Sequence, residues 1–221
     1  MVTHTQRRAR TAANPDGIQA VQWLAWADED YLAARALLLR AFVLQGTMLA
    51  NTSIEKYIKT ALVVRGVSFR NTHDVAALYD SLKSSGTVAA VSASFLKILG
   101  KAYKMRYPDD LPAGFNIALA QVKVLAEMDA TVHALRKGFA FQGTDGHTVT
   151  TKLDAWLADN NATLTERNAA FGSCTRADVF ASPTHFYELR VLDNGNILEA
   201  KYEAGPIPDD GIFDTEGIKP A

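Results

Sequence analysis

The chain has little of what most often announces a function. Cys174 is the only cysteine in 221 residues, so no intramolecular disulfide can form, which fits a reducing cytoplasm. A catalytic thiol needs neighbours that lower its pKa, and Ser173, Thr175 and Arg176 make only a faint case for one. Opposite charges nearly cancel, to a formal net charge of −1. Contact with nucleic acid therefore requires a local patch, not a global basic field. No apolar run reaches the roughly 18 residues of a membrane span, and the N-terminus lacks a signal-peptide apolar region. A cytoplasmic protein without a membrane role is expected. Glycine-rich phosphate loops and a Ser-His-Asp constellation are missing too, and Gly172-Ser173-Cys174 is not a nucleophile elbow. His147 and His185 have no partner at metal-ligand spacing, so no metal site is expected.

What the chain does have is apolar side chains, 48% of its residues, enough for a sizeable core. They recur at helical spacing. Residues 1–16 are polar, carry Arg7, Arg8 and Arg10, and read as a flexible basic tail. A first helix is predicted from about Asp16 to Phe42, with an acidic and solvated face at Asp28, Glu29 and Asp30. Gln45-Gly46 breaks the pattern. A second helix runs from Thr47 to Arg65 with Ile54, Tyr57, Ile58 and Leu62 inward and Glu55, Lys56 and Lys59 toward the other side. Gly66 then supplies a left-handed cap. Thr72 is the expected N-cap of a third helix, with Asp74 in its first turn, ending at Ser84-Ser85-Gly86. A fourth spans Ala89 to Arg106 and stops at Tyr107-Pro108. A fifth spans Phe115 to Gly138. Short connections make antiparallel neighbours, so residues 17–138 read as an up-and-down bundle of about five helices.

After Gly138 the character changes. Residues 139–204 read as a small α+β appendage with two short helices, Thr151–Ala158 and Leu164–Phe171, the latter opened by a Thr163-x-x-Glu166 capping box. A β-hairpin over 186–203 follows, turning at Asn194-Gly195. A two-residue turn there sets Arg190 opposite Glu199 and Glu188 opposite Lys201. Residues 205–221, rich in Pro, Gly and Asp, read as a loose tail. The fold class is mainly α.

Four segments carry a family resemblance: Ala27-Asp28-Glu29-Asp30-Tyr31 with Ala34; Ser53-Ile54-Glu55-Lys56-Tyr57-Ile58-Lys59-Thr60-Ala61-Leu62; Gly66 with Thr72-His73-Asp74-Val75; and Tyr103-Lys104-Met105-Arg106-Tyr107-Pro108-Asp109. In that order and at those gaps the chain resembles the HEPN family of nucleotide-binding domains over about residues 20–138. The resemblance implies an all-α bundle, often a homodimer. It also implies a link to a nucleotidyltransferase partner or, in toxin-like members of toxin–antitoxin pairs, ribonuclease activity. The ribonuclease members carry Arg-x(4–6)-His at a helix end. Here Arg70 lies too near His73 and Arg65 too far from it. No histidine follows Arg106 within reach, and His133 precedes Arg136.

The candidate ligand-binding residues are Lys56, Lys59, Arg70, His73, Asp74, Tyr103, Arg106 and Tyr107. Arginine and lysine recognise phosphate, a histidine at a helix start sits where anions bind, and a base can stack on tyrosine. The leading expectation is a binding protein for a nucleotide or a nucleotidyltransferase, with no cofactor and no catalysis of its own. Alternatives are a metal-independent ribonuclease using His73 and Arg70, with RNA as substrate, and a structural protein whose hairpin completes a dimer.

Overall fold

The computed structural model describes residues 15–69, 72–86, 88, 90–139, 141–142 and 146–210. The basic tail and Arg70 lie outside the described residues. The fold is mainly α, as the periodicity predicts. The chain opens with two long antiparallel helices, α1 (Pro15–Leu39) and α2 (Val43–Val64). Their turn comes earlier than Gln45-Gly46. It is made at Arg40–Phe42, where Ala41 takes a left-handed φ of 63° and Phe42 N–H bonds Leu37 O at 3.0 Å. Gly46 sits inside α2 for a different reason. A Cβ there would lie 2.6 Å from Leu38 Cγ, so glycine marks the close approach of α2 to α1.

Gly66, at φ 68°, closes α2 as expected. The third helix, α3 (Val75–Ser84), is capped by Asp74, not Thr72: Asp74 Oδ1 accepts from Ala76 and Ala77 N–H, while Thr72 Oγ1 accepts from Asp74 N–H. The fourth, α4 (Ala93–Lys104), starts at the N-cap Ser92, later than the apolar pattern suggested. The region predicted as a fifth helix divides into β1 (Asn116–Ala120) and α5 (Gln121–Arg136). Its first residues are claimed by a sheet whose other strands lie some seventy residues on, a non-local pairing that overrides local spacing.

Three short helices follow: α6 (Lys152–Ala158), α7 (Ala162–Thr165) and α8 (Arg176–Phe180). The capping boxes belong to Thr151/Asp154 and Thr175/Asp178. The predicted Thr163/Glu166 box is absent, since Asn161 caps α7 and Glu166 already lies past its end. Strands β2 (Thr184–Val191) and β3 (Ile197–Ala204) complete an antiparallel sheet in the order β1-β2-β3. The hairpin register differs from expectation by one residue. Arg190 faces Leu198, Leu189 faces Glu199 and Tyr187 faces Lys201. The loop has three residues, Asp193-Asn194-Gly195, closed by Leu192 N–H to Asn196 O at 2.8 Å with Gly195 at φ 81°. One residue of slip exchanges the two faces of a strand.

The apolar core does not end at residue 138. Leu153, Leu164, Tyr187, Leu189 and Val191 join the same buried cluster as Leu24, Ile54, Tyr57, Leu78 and Phe95. Two buried polar networks tie the C-terminal part to the bundle. In one, Asp129 accepts from Tyr31 Oη at 2.7 Å and pairs with Arg35, whose other nitrogens reach Thr163 O and Glu166 O. In the other, Asp28 accepts from Tyr57 Oη at 2.5 Å, Arg136 Nη1 at 2.6 Å and Leu153 N–H at 3.0 Å. Asp28 is thus fully buried and not part of a solvated face. The start of the tail is pinned as well: Asp209 pairs with Arg176, and Asp210 with Lys123 at 2.6 Å.

Candidate functional site

Helix α2 repeats with a face of charge in its middle. Glu55 and Lys59 are one turn apart in the favourable order, acid before base, and they pair at 2.5 Å with both side chains buried. The sequence pattern put them on the wet side. Both are buried instead. The loop from α2 to α3 brings His73 back over α2, where its Nδ1 donates to Glu55 Oε2 at 2.9 Å. A carboxylate accepts, so Nδ1 is the ring nitrogen that carries the proton in this bond. The His73 side chain is 62% exposed.

The end of α4 meets this pair. The Tyr103 ring lies 5.4 Å from the His73 ring, centroid to centroid. Arg106 folds back over Tyr103, with its guanidinium 3.5 Å from the ring centroid, and sits 5.3 Å from that of Tyr107. It makes no ion pair with Asp109 or Asp110 among the described residues. Burial raises the Tyr103 hydroxyl pKa against the opposing pull of Arg106, so this hydroxyl stays protonated and able to donate. Arg106 covers a face of Tyr103, which leaves Tyr107, 60% exposed, as the open aromatic surface.

Between the start of α3 and the face of α4 lies an open notch of about 430 Å³, lined by Thr72, His73, Asp74, Lys97, Lys101, Tyr103 and Lys104 among others. That volume is in the range of small-molecule sites. Asp74, the acid in its lining, caps α3, and Glu55, behind His73, is held by Lys59 and His73. Lys97 and Lys104 are exposed and make no ion pair among the described residues. The mouth of the notch is therefore cationic.

Of the predicted residues, His73, Asp74, Tyr103, Arg106 and Tyr107 come together here. Lys59 lies beneath them as a buried support. Lys56 is elsewhere in its bonding, paired with Asp30 of α1 at 2.6 Å. Glu55 and Lys97 were not singled out for this role in the sequence. The Glu55–Lys59 spacing was visible, but not that His73, 18 residues on, would fold over it.

These elements define a helical-bundle domain with a cationic notch rimmed by aromatic rings. The chain belongs to the HEPN domain family: a family model described as HEPN domain matches residues 20–130. The match spans most of α1 through α5 and every residue of the notch, and leaves out α6 to α8 and strands β2 and β3. No curated protein and no solved structure matches the chain.

Proposed function

We propose that the notch binds a nucleotide, phosphate toward Lys97, Lys104 and Arg106 and base toward Tyr107, without chemistry of its own. The observation that carries this reading is the charge balance of the notch: Asp74, the acid in its lining, is consumed in capping α3, whereas Lys97 and Lys104 stay exposed with no ion pair among the described residues. Phosphate recognition needs that arrangement of fixed and available cations, and an exposed ring beside a guanidinium suits a base. Calorimetric titration with a panel of nucleoside mono-, di- and triphosphates tests it. Saturable binding that weakens about tenfold in Arg106→Ala and in Lys104→Ala, and weakens with added salt, is expected. Absence of binding across the panel, together with capture of a nucleotidyltransferase from solution, would move the notch to a protein partner.

A second reading, RNA cleavage, is favoured by the Glu55–His73 hydrogen bond, since a carboxylate that orients an imidazole is the usual support of a general base. Cleavage of a labelled RNA in the presence of chelator, lost in His73→Ala and slowed in Glu55→Gln, is its expected signature. An inactive wild-type protein rejects it.

A further inference from the structure

The free edge of β3 is not covered by any described residue. The strand is exposed along most of its length, and Ile197, Leu198 and Tyr202 are among the few large apolar side chains left in water. The described part of the tail, residues 205–210, does not shield it. After Ala204 the chain returns to α5 and α8, where Ile207 packs beside Val122 and Phe180 and Asp209 pairs with Arg176. An open edge of this kind is a template for another strand.

The ladder shows which backbone groups are available. Leu192 and Asn196 form the hydrogen-bonded closure of the hairpin. In an antiparallel ladder such pairs alternate, so Leu198, Ala200 and Tyr202 direct N–H and C=O toward β2. Ile197, Glu199, Lys201 and Glu203 direct theirs outward. The opposite edge of β2 agrees: Val191, an odd-numbered residue, exchanges bonds with Gly114 and Phe115 next to β1.

We infer that β3 pairs antiparallel with β3 of a second copy of this chain, about a two-fold axis at Ala200, to join two three-stranded sheets into one. The charge pattern selects this register. Centring on Ala200 sets Glu199 opposite the partner's Lys201, and Lys201 opposite the partner's Glu199. Both are outward-bonding residues, as hydrogen-bonded pairs require. Centring on Glu199 opposes glutamate with glutamate. Centring on Lys201 opposes lysine with lysine and Glu199 with Glu203. A shift to Tyr202 shortens the overlap and runs Leu198 into Pro206, at the end of the strand. In the Ala200 register the other face carries Leu198 against Tyr202 twice, with the small Ala200 between, and Tyr202 already stacks on Phe186 at 5.0 Å. About eight inter-chain backbone bonds result. The strand by itself buries less than a standard interface, so the association is concentration-dependent.

Sedimentation velocity over a micromolar concentration series tests the pairing. The wild-type protein is expected to shift from monomer to dimer. Lys201→Glu puts glutamate against glutamate at two positions and weakens association about tenfold or more. Exchanging both charges, Glu199→Lys with Lys201→Glu, restores it. Lys201→Pro removes an outward N–H without touching the bonds to β2, and is also expected to stay monomeric. Circular dichroism and the melting temperature of each variant check that the fold is kept. A wild-type protein that remains monomeric overturns the inference, as does a dimer indifferent to Lys201→Glu or a charge exchange that fails to rescue.

Discussion

Asp129 shows how much of this protein rests on a single buried charge. It is almost fully buried, pairs with Arg35 and accepts from Tyr31. Burial pushes its carboxyl pKa up while Arg35 pulls it down. Removing one member of such a pair leaves the other charge stranded, at a cost of about 3–5 kcal/mol, whereas an apolar replacement of both members is far milder. Urea unfolding of Asp129→Ala is therefore expected to show a loss of that order, and Arg35→Met with Asp129→Leu a smaller one. His133 responds in the opposite direction to pH. Burial lowers its pKa, and Lys137 lowers it further. Its ring stands edge-on to Phe171 at 5.3 Å. A depressed histidine stabilises the fold above its ordinary value near 6.5 and withdraws that support as pH falls toward the folded value. Unfolding free energies measured at about pH 7 and about pH 5.5 should fall more in the wild type than in His133→Gln.

At the level of elements, the α1–α2 hairpin is the frame on which the notch is built, and its fit depends on Gly46. A methyl there meets Leu38 Cγ at 2.6 Å and Ala34 O at 3.1 Å. Two packed helices cannot both give way, so Gly46→Ala is expected to destabilise by about 1–3 kcal/mol, from overpacking and not from helix propensity, which favours alanine. The same thermal melt separates the two effects by sign. Helix α4 supplies the other wall. Its core residues Phe95, Leu96, Ile98 and Leu99 seat it on the bundle, which leaves Lys97, Lys101 and Lys104 on the side that meets His73. The notch is thus the by-product of packing a strongly one-sided helix against α2 and α3.

For the whole molecule, the C-terminal part and the bundle form one packed body. Strand β1 lies before α5 but pairs with β2, Arg136 bridges Asp28 to Thr151 and Asp154, and Arg35 is satisfied by carbonyls of residues 163 and 166. A chain cut after Gly138 loses the carbonyl partners of Arg35 and the strand partner of β1 together and exposes the apolar surface that Leu153, Leu164 and Leu189 cover. Such a fragment is expected to lose its cooperative melting transition, while the full chain unfolds in a single step followed equally by tryptophan fluorescence and circular dichroism. No described helix is long and apolar enough to cross a membrane.

The helical class, the five apolar stripes, the glycine cap at Gly66, the existence of the hairpin and the motif order that marks a HEPN domain are all legible in the amino-acid sequence. All of these depend on spacing within a few residues, or on residue identity. The sequence also carried His73, Tyr103 and Arg106 as a candidate set. That Phe115–Gly138 begins as a strand, that the hairpin loop has three residues and not two, and that Asp28, Glu55 and Lys59 are buried are facts of the folded chain that local spacing does not carry. The reason is that strand pairing and desolvation are settled by what arrives from far along the chain. Asp28 looks solvated until Arg136, Tyr57 and Leu153 close over it, and Glu55 becomes the anchor of a site only when His73 folds back to meet it.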